Sequence, residues 1–399
     1  MKVCMLAYSF YESDTRILQY ASALARRGDT VDVIALRHEG KPAFEVLDGV
    51  RVFRIQPRSR SRENRAGYLF QVLRFMVHSA AILTRRQLSV RYDVIHVHSV
   101  PDFLVLAAIV PKLLGAGIIL DIHDILPEFY ASKFNLPSTS PTYRFLLIVE
   151  RISVAFADHV IAANEIWRER LLSRSVRLGR CTAIRNYPDP TIFFPRSGAT
   201  RNGKFLIIYP GTLNRHQGLD IAIRAFAQIV DLAPEAEFHI YGEGPERSSL
   251  IALRDALGLK DRVQIEGLLS LNEIAPRMAS ADIAVVPKRT STGFGNEASS
   301  TKIMEFMALG VPVIVSRTRI DSYYHDDSMV QFVEPENEND LANAILFLRN
   351  TPARRHQLAR NAFRYLLNNN WERKQFEYLS VVDTLVSSVT VKAERELHV

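Results

Sequence analysis

Residues 293–316, GFGNEASSTKIMEFMALGVPVIVS, pass from a polar, glycine-bearing segment through a helical pattern into a β-branched run. Ser299, Ser300 or Thr301 can cap a helix that runs to Leu309, and Gly310 suits the left-handed position just beyond its end. The run VPVIVS then reads as a strand, and IAVVPK (283–288) ahead of the segment reads as another. Strand, loop at 289–298, helix and strand form the unit of a parallel α/β sheet, in which ligands bind beyond the carboxyl ends of the strands and beside helix N-termini.

The same rhythm extends both ways. Further strands in this half are FLIIYPG, EFHIYGE and VQIEG, each followed by a helix-length segment. The first half reads KVCMLAY, a helix at 15–27, VDVIAL, a helix near 66–87, DVIHVHS, a helix at 101–114, GIILDIHD, a helix near 141–156 and HVIAAN. Between the halves, NYPDPTIFFPRSGATRNGK (186–204) breaks the pattern with three prolines and two glycines and reads as a linker. The fold class expected is therefore α/β, with two Rossmann-like, doubly wound parallel sheets facing a central cleft. Their spans are 1–190 and 191–370, and a helix at 371–399 is long enough to cross back to the first domain. A chain of 399 residues suits two such domains.

Composition narrows the class. No apolar run reaches the ~18 residues of a membrane span, and the N-terminus enters a strand without a secretory cleavage pattern, so a cytoplasmic protein is expected. Cys4 and Cys181 sit in apolar strand-like runs without metal-ligand spacing and read as core. Residues 1–196 hold 27 Lys/Arg against 18 Asp/Glu, and within them 54–91 carries nine arginines and one acid beside the apolar stretch YLFQVLRFMV. Such a segment can be a solvated helix packed on a sheet or a peripheral contact with the inner face of an anionic membrane. No nucleic-acid partner is expected.

Candidate chemistry lies at the strand ends. Lys302 falls in the first turn of its helix, where the dipole disfavours a cation by ~0.3–1 kcal/mol unless an anion is also present. A phosphate bound on free backbone N–H groups supplies that anion. Glu305, on the same helix, can accept hydrogen bonds from the vicinal hydroxyls of a ribose, while Glu297, eight positions earlier, reaches another part of a bound ligand. In the first half, DIHDILPE places Asp121, His123 and Asp124 after a strand, and His96 and His98 share one face by the two-residue period. His96, His98 and Asp121 could form a metal site.

Glu297-x7-Glu305 followed by FMALGVPVIVS, with PGTLNRHQGLDIAIRAFA and YGEGPE before it, resembles the nucleotide-sugar half of family 4 retaining glycosyltransferases of the GT-B fold. NYPDPTIFFP is similar to that family's linker, LANAILFLRN to its C-terminal helix, and YESDTRILQYASALARRGDTVDVI to its first strand–helix–strand. Asp14 and Arg16 stand where many members carry Gly-Gly. The resemblance implies a transferase that moves a sugar, with retention, from a nucleoside diphosphate sugar to an acceptor hydroxyl on a lipid-linked or polysaccharide-precursor glycan. It gives Glu297 the donor-sugar hydroxyls and reacting face, and Glu305 the ribose. Gly211 would let the backbone approach the diphosphate, Arg215 and Lys302 would neutralise it, and Ser300 and Thr301 would line the helix mouth. Lys288 would serve as a third cation, because Gln217 replaces the family's usual lysine. His123 is expected to contact the donor sugar, while Asp14, Arg16, Asp121 and Asp124 are expected on the acceptor side. GT-B enzymes use cationic side chains and helix dipoles in place of a divalent ion, so no metal cofactor is expected. Two other readings are a nucleotide-sugar 2-epimerase of the same fold and a non-catalytic sugar-nucleotide-binding subunit, the latter favoured by Gln217.

Overall fold

The computed structural model describes residues 1–58, 65–134, 136–196, 203–291 and 293–397, with side chains left aside at 65, 66 and 388–397. The chain forms two compact units, Met1–Asn186 with Trp371–Val399, and Tyr187–Asn370.

The first unit runs β1 (Lys2–Ala7), α1 (Thr15–Arg27), β2 (Thr30–Arg37), β3 (Phe44–Leu47), β4 (Val50–Pro57), α2 (Arg65–Val90), β5 (Val94–His98), α3 (Ile109–Leu113), β6 (Gly117–Ile122), α4 (Leu126–Phe134), α5 (Pro141–Phe156), β7 (His159–Ala162), α6 (Glu165–Arg174) and β8 (Cys181–Ala183). Its sheet has the order β3-β4-β2-β1-β5-β6-β7-β8. Strands β5 and β6 are buried along their whole length, as strands covered on both faces must be. From β1 the chain winds outward through β2 to β4, then returns to β5 on the other side of β1, so the strand order reverses between β1 and β5. Cys4 and Cys181 are buried free thiols.

Two expectations need correction here. The sheet is not wholly parallel, because β3 and β4 form an antiparallel hairpin at its edge. Residues 54–57 of the basic segment belong to β4, and the Arg54 side chain is buried in ion pairs with Glu12 and Glu45. A guanidinium so placed is part of the core of the sheet edge. Arg60 and Arg62 lie outside the described residues.

The second unit runs β9 (Phe205–Pro210), α7 (Leu219–Ile229), β10 (Ala236–Tyr241), α8 (Arg247–Ala256), β11 (Val263–Glu266), α9 (Leu271–Ala279), β12 (Ile283–Val286), α10 (Gly293–Glu297), α11 (Thr301–Leu309), β13 (Val313–Ser316), α12 (Arg319–Tyr324), β14 (Gln331–Val333), α13 (Glu338–Asn350) and α14 (Pro352–Asn368). All pairings of its sheet are parallel, in the order β11-β10-β9-β12-β13-β14. Here the order reverses between β9 and β12. Phe226, Phe238, Ile207 and Leu348 anchor a core between sheet and helices, each such side chain contributing ~1.5–3 kcal/mol on burial. Helix α15 (Trp371–Leu397) returns to the first unit, where it packs on α1, β5 and β6.

Candidate active site

In an open α/β sheet the strands diverge where their order reverses, and the crevice beyond their carboxyl ends accepts ligands. In the second unit that point lies beyond β9 and β12, where the chain places Gly211 and the segments 287–291 and 293–302. Gly211 follows β9 with φ +141°, and a Cβ built there would stand 3.0 Å from the Lys302 Nζ. Backbone and cation therefore approach each other with no side chain between.

Helix α11 opens at this point. Ser300 holds the cap position with extended dihedrals, yet its hydroxyl makes no cap hydrogen bond. That hydroxyl is buried and has no partner among the described residues. A buried hydroxyl without a partner costs ~1–3 kcal/mol; the Ile303 amide closes on the Ser300 carbonyl at 3.4 Å, and a helix N-terminus of this kind attracts anions through its remaining first-turn N–H groups. Thr301, the first helical residue, is exposed. Lys302 follows, with its Nζ 5.0 Å from the centre of the Tyr209 ring. Burial pushes its pKa down to about 8; Glu305 opposes this and Lys288 adds to it. Glu305 is raised above the ordinary carboxyl value by burial, with Lys302 and Thr301 holding it back. The site contains a cation and an acid, both poorly solvated and neither fully compensated.

Arg215 is exposed on a single 3-10 turn, and its guanidinium has no partner among the described residues. Gln217 bonds its neighbour, the Nε2 atoms of Gln217 and His216 lying 3.0 Å apart. His216 is driven down to about 4 by burial and by Lys302 and Lys288, so it is neutral at physiological pH. Lys288 departs from the expected role of third cation. It is buried, 2.6 Å from Asp321 and 2.9 Å from the Ala298 carbonyl, so its charge is already matched. Glu297 also differs from its expected place in a loop, since it ends the short helix α10. It is buried, and Arg319 Nη1 donates to its Oε1 at 3.2 Å. The Arg319 amide in turn donates to Asn296 at 2.7 Å, fixing α12 to α10.

In the first unit, the carboxyl ends of β1, β5 and β6 gather polar groups, most of them around Asp121. Asp14 caps α1 by accepting from the Ile17 amide at 3.3 Å and also accepts from Ser9. Arg16 turns inward, where Nε and Nη2 each donate to Asp121 at 2.7 Å, and Nη1 donates to the Ile184 carbonyl and to Asn186. Its guanidinium is a buried support for Asp121. Asp121 Oδ2 also meets His123 Nε2 and His98 Nδ1, each at 3.2 Å, and those two ring nitrogens lie 3.3 Å apart. Burial alone would raise Asp121, but Arg16 and His123 overcome it and hold the carboxyl well below its usual range. Burial would likewise lower His123, but the Asp121 charge and hydrogen bond raise it above its ordinary value.

His96 and His98 are both lowered, chiefly by burial. Among these three histidines only His123 is raised. Burial also pushes half-buried Asp124 up to about 6, with His123 opposing. His96, His98 and Asp121 have ligand atoms within 4.8 Å of one another. An ion there would share Asp121 with the fork of Arg16, and His96 Nδ1 already meets the Tyr378 hydroxyl at 3.0 Å. Sequence reasoning missed Tyr378, Arg319 and Asp321, since nothing local marks a residue whose partner lies far along the chain.

Two Rossmann-like units, one presenting a helix mouth and a poorly solvated lysine at its switch point and the other a histidine whose pKa a buried aspartate raises, define a GT-B-type protein. Residues 192–365 match the family "Glycosyl transferases group 1", and residues 13–187 match the "Glycosyl transferase 4-like domain". The chain belongs to the family 4 glycosyltransferases of the GT-B fold and is a transferase. It is similar to D-inositol 3-phosphate glycosyltransferase of Thermomonospora curvata, 23% identical over 94% of this chain and 91% of that protein. It is also similar to one component of human phosphatidylinositol N-acetylglucosaminyltransferase, 23% identical over 79% of this chain; that alignment spans 62% of the human protein. In fold it resembles sucrose-phosphate synthase from Thermosynechococcus elongatus, with TM-score 0.77, 20% identity, and coverage of 97% of this chain and 100% of that one. It also resembles Anabaena HepE in complex with UDP, with TM-score 0.65, 18% identity, and coverage of 99% and 100%.

Proposed function

We propose that the chain transfers a glycosyl group, with retention at the anomeric carbon, from a nucleoside diphosphate sugar to an acceptor hydroxyl on a lipid-linked or polysaccharide-precursor glycan. The observation that carries this reading is the mouth of α11, where Lys302 is held at about 8 by burial beside Gly211 and the partnerless Ser300 hydroxyl. Each of these features is unfavourable alone, and a diphosphate relieves them together. Phosphate oxygens accept from the first-turn N–H groups and from Ser300, and their charge stabilises the Lys302 ammonium. Arg215, exposed and without a partner, supplies the second cation that Gln217 does not. Glu305 accepts from the ribose hydroxyls. Glu297, oriented by Arg319, faces the sugar.

As the bond to the leaving phosphate breaks, positive charge grows on the sugar ring and negative charge on the diphosphate. Lys302, Arg215 and the α11 N-terminus are in place before that charge develops, and this type of preorganised stabilisation is the largest contribution a protein makes to such a step. In the first unit, which we assign to the acceptor, His123, its pKa raised by Asp121, takes the donor-sugar contact that the family resemblance implies. Asp121 and Arg16 serve as positioning residues for it, and Asp14 and Asp124 stand on the acceptor side. This chemistry needs no divalent ion, so turnover is expected to survive EDTA. Loss of turnover restored by manganese would instead point to His96, His98 and Asp121. HepE was solved with UDP-glucose as well as UDP, which supports a nucleotide sugar as donor. A panel of nucleoside diphosphate sugars, screened by thermal stabilisation, tests the assignment. A stabilising donor whose effect is lost in both Lys302→Met and Arg215→Ala supports it, and the absence of any stabilising donor contradicts it.

A further inference from the structure

Three helices of the first unit turn apolar side chains outward. On α2, Leu69, Phe70, Leu73, Val77 and Leu88 are exposed, Phe70 by 63%. Their spacing follows one helical face. On α5 the exposed face is Phe145, Ile148 and Ile152, again at helical spacing, and α3 with its C-cap adds Ile109, Leu113 and Leu114. These helices are apolar on the side where a surface helix is ordinarily polar.

The topology places them together. The crossovers from β4 to β5, β5 to β6 and β6 to β7 all advance toward the β8 edge, so right-handed connection sets α2, α3 and α5 on one face of the sheet. Helices α2 and α5 both pack on the intervening 3-10 segment Asp102–Ala108, and α2 also packs on α3. Helix α1 advances the other way and lies on the opposite face with α15.

The charge on this surface has one sign. Arg74, Arg85, Arg91, Arg144 and Arg151 are exposed and have no side-chain partner among the described residues. Helices α2 and α3 contain no acid, and the one acid of α5, Glu150, is buried against Arg174. Of the other Lys and Arg side chains described on these helices, Arg86 is matched by Asp32 and Lys112 by Asp158. A second copy of the chain would set these arginines against each other, whereas an anionic surface with an apolar interior complements both features.

We propose that the outer surface of α2, α3 and α5 docks on an anionic lipid bilayer. The arginines meet the headgroups while Phe70, Val77, Phe145, Ile148 and Ile152 enter the acyl boundary. No described helix is long and apolar enough to cross a membrane, so the contact is peripheral. That the acceptor sits in this bilayer rests on the transfer reading above; the docking surface does not.

Flotation of the full chain with vesicles tests this, using phosphatidylcholine with and without phosphatidylglycerol. The chain should float with phosphatidylglycerol vesicles at low salt, much less at high salt, and not with phosphatidylcholine alone, because exposed charges are screened over about 8 Å at physiological ionic strength. Phe145→Ser/Ile148→Ser/Ile152→Ser should lower binding by about tenfold or more. Arg74→Gln/Arg85→Gln/Arg144→Gln/Arg151→Gln should remove the dependence on phosphatidylglycerol. Both variants alter exposed side chains and should keep the wild-type melting temperature and nucleotide affinity, which separates failure here from failure of the donor assignment. Wild-type chain left unbound at low salt, or an α5 variant that floats like wild type, overturns the proposal. So does concentration-dependent dimerisation that the α5 variant abolishes, since the face would then be an interface between copies.

Discussion

Lys302 offers a quantitative test of the diphosphate site. Its pKa falls from 10.5 to about 8, and at ~1.36 kcal/mol per unit the ammonium costs about 3 kcal/mol in its place without an anion. Between those values the unfolded chain binds more protons than the folded one, so stability of the free protein rises with pH across that window. Below about 8 the cost is present in full. A bound diphosphate favours the charged form and returns the pKa toward its ordinary value. At pH 8, where Lys302 is about half protonated, binding should therefore take up about half a proton. His216, held at about 4, does not titrate there. Calorimetry of nucleoside diphosphate binding at pH 8, in buffers of different ionisation enthalpy, reads this uptake as a slope. Lys302→Met should abolish the slope, weaken binding by ~2–4 kcal/mol and raise the melting temperature of the nucleotide-free protein at neutral pH. A wild type without proton uptake, or a Lys302→Met variant that binds like wild type, refutes the reasoning.

Arg215→Ala should lower kcat/KM by roughly 2–4 kcal/mol without changing the melting temperature, because its exposed guanidinium has no partner to lose. Glu305→Ala should mainly raise the donor KM, since ribose hydroxyls are held alike in ground and transition states, whereas Glu297→Ala should lower kcat; equal effects would show the division of roles to be wrong. If the protonated His123 is the working form, kcat should fall on the alkaline side as pH rises through its elevated pKa, and Asp121→Asn should move that limb to lower pH. The same pair stabilises the fold below the ordinary histidine pKa and loses that contribution as pH rises through the folded value; an unmoved limb in Asp121→Asn argues against His123.

The segment from IAVVPK to VPVIVS was legible because its signals are local: a strand, a cap, a helix closed by Gly310 at φ +74°, and a strand. The β3–β4 hairpin was not, since β4 carries Arg51 and Arg54 and its end, from Arg54, read as part of the basic stretch 54–91. What neutralises those arginines lies elsewhere, Asp32 for Arg51, and Glu12 and Glu45 for Arg54. The same blindness misplaced Lys288, whose partner Asp321 is on α12, and concealed Arg319 behind Glu297. The placement of His123 just after β6 and of Lys302 and Glu305 on α11 was readable. Whether a charge is free or already paired was not, because ion pairing depends on contacts between distant parts of the chain.

The most direct test of glycosyl transfer follows nucleoside diphosphate release and product stereochemistry together, by incubating the chain with the donor that stabilises it and with lipid-linked glycan acceptors in EDTA. The account predicts release only when an acceptor is present, and a new glycosidic bond with the anomeric configuration of the donor by NMR. Release without acceptor, an inverted product, or donor binding with no turnover on any acceptor would contradict it.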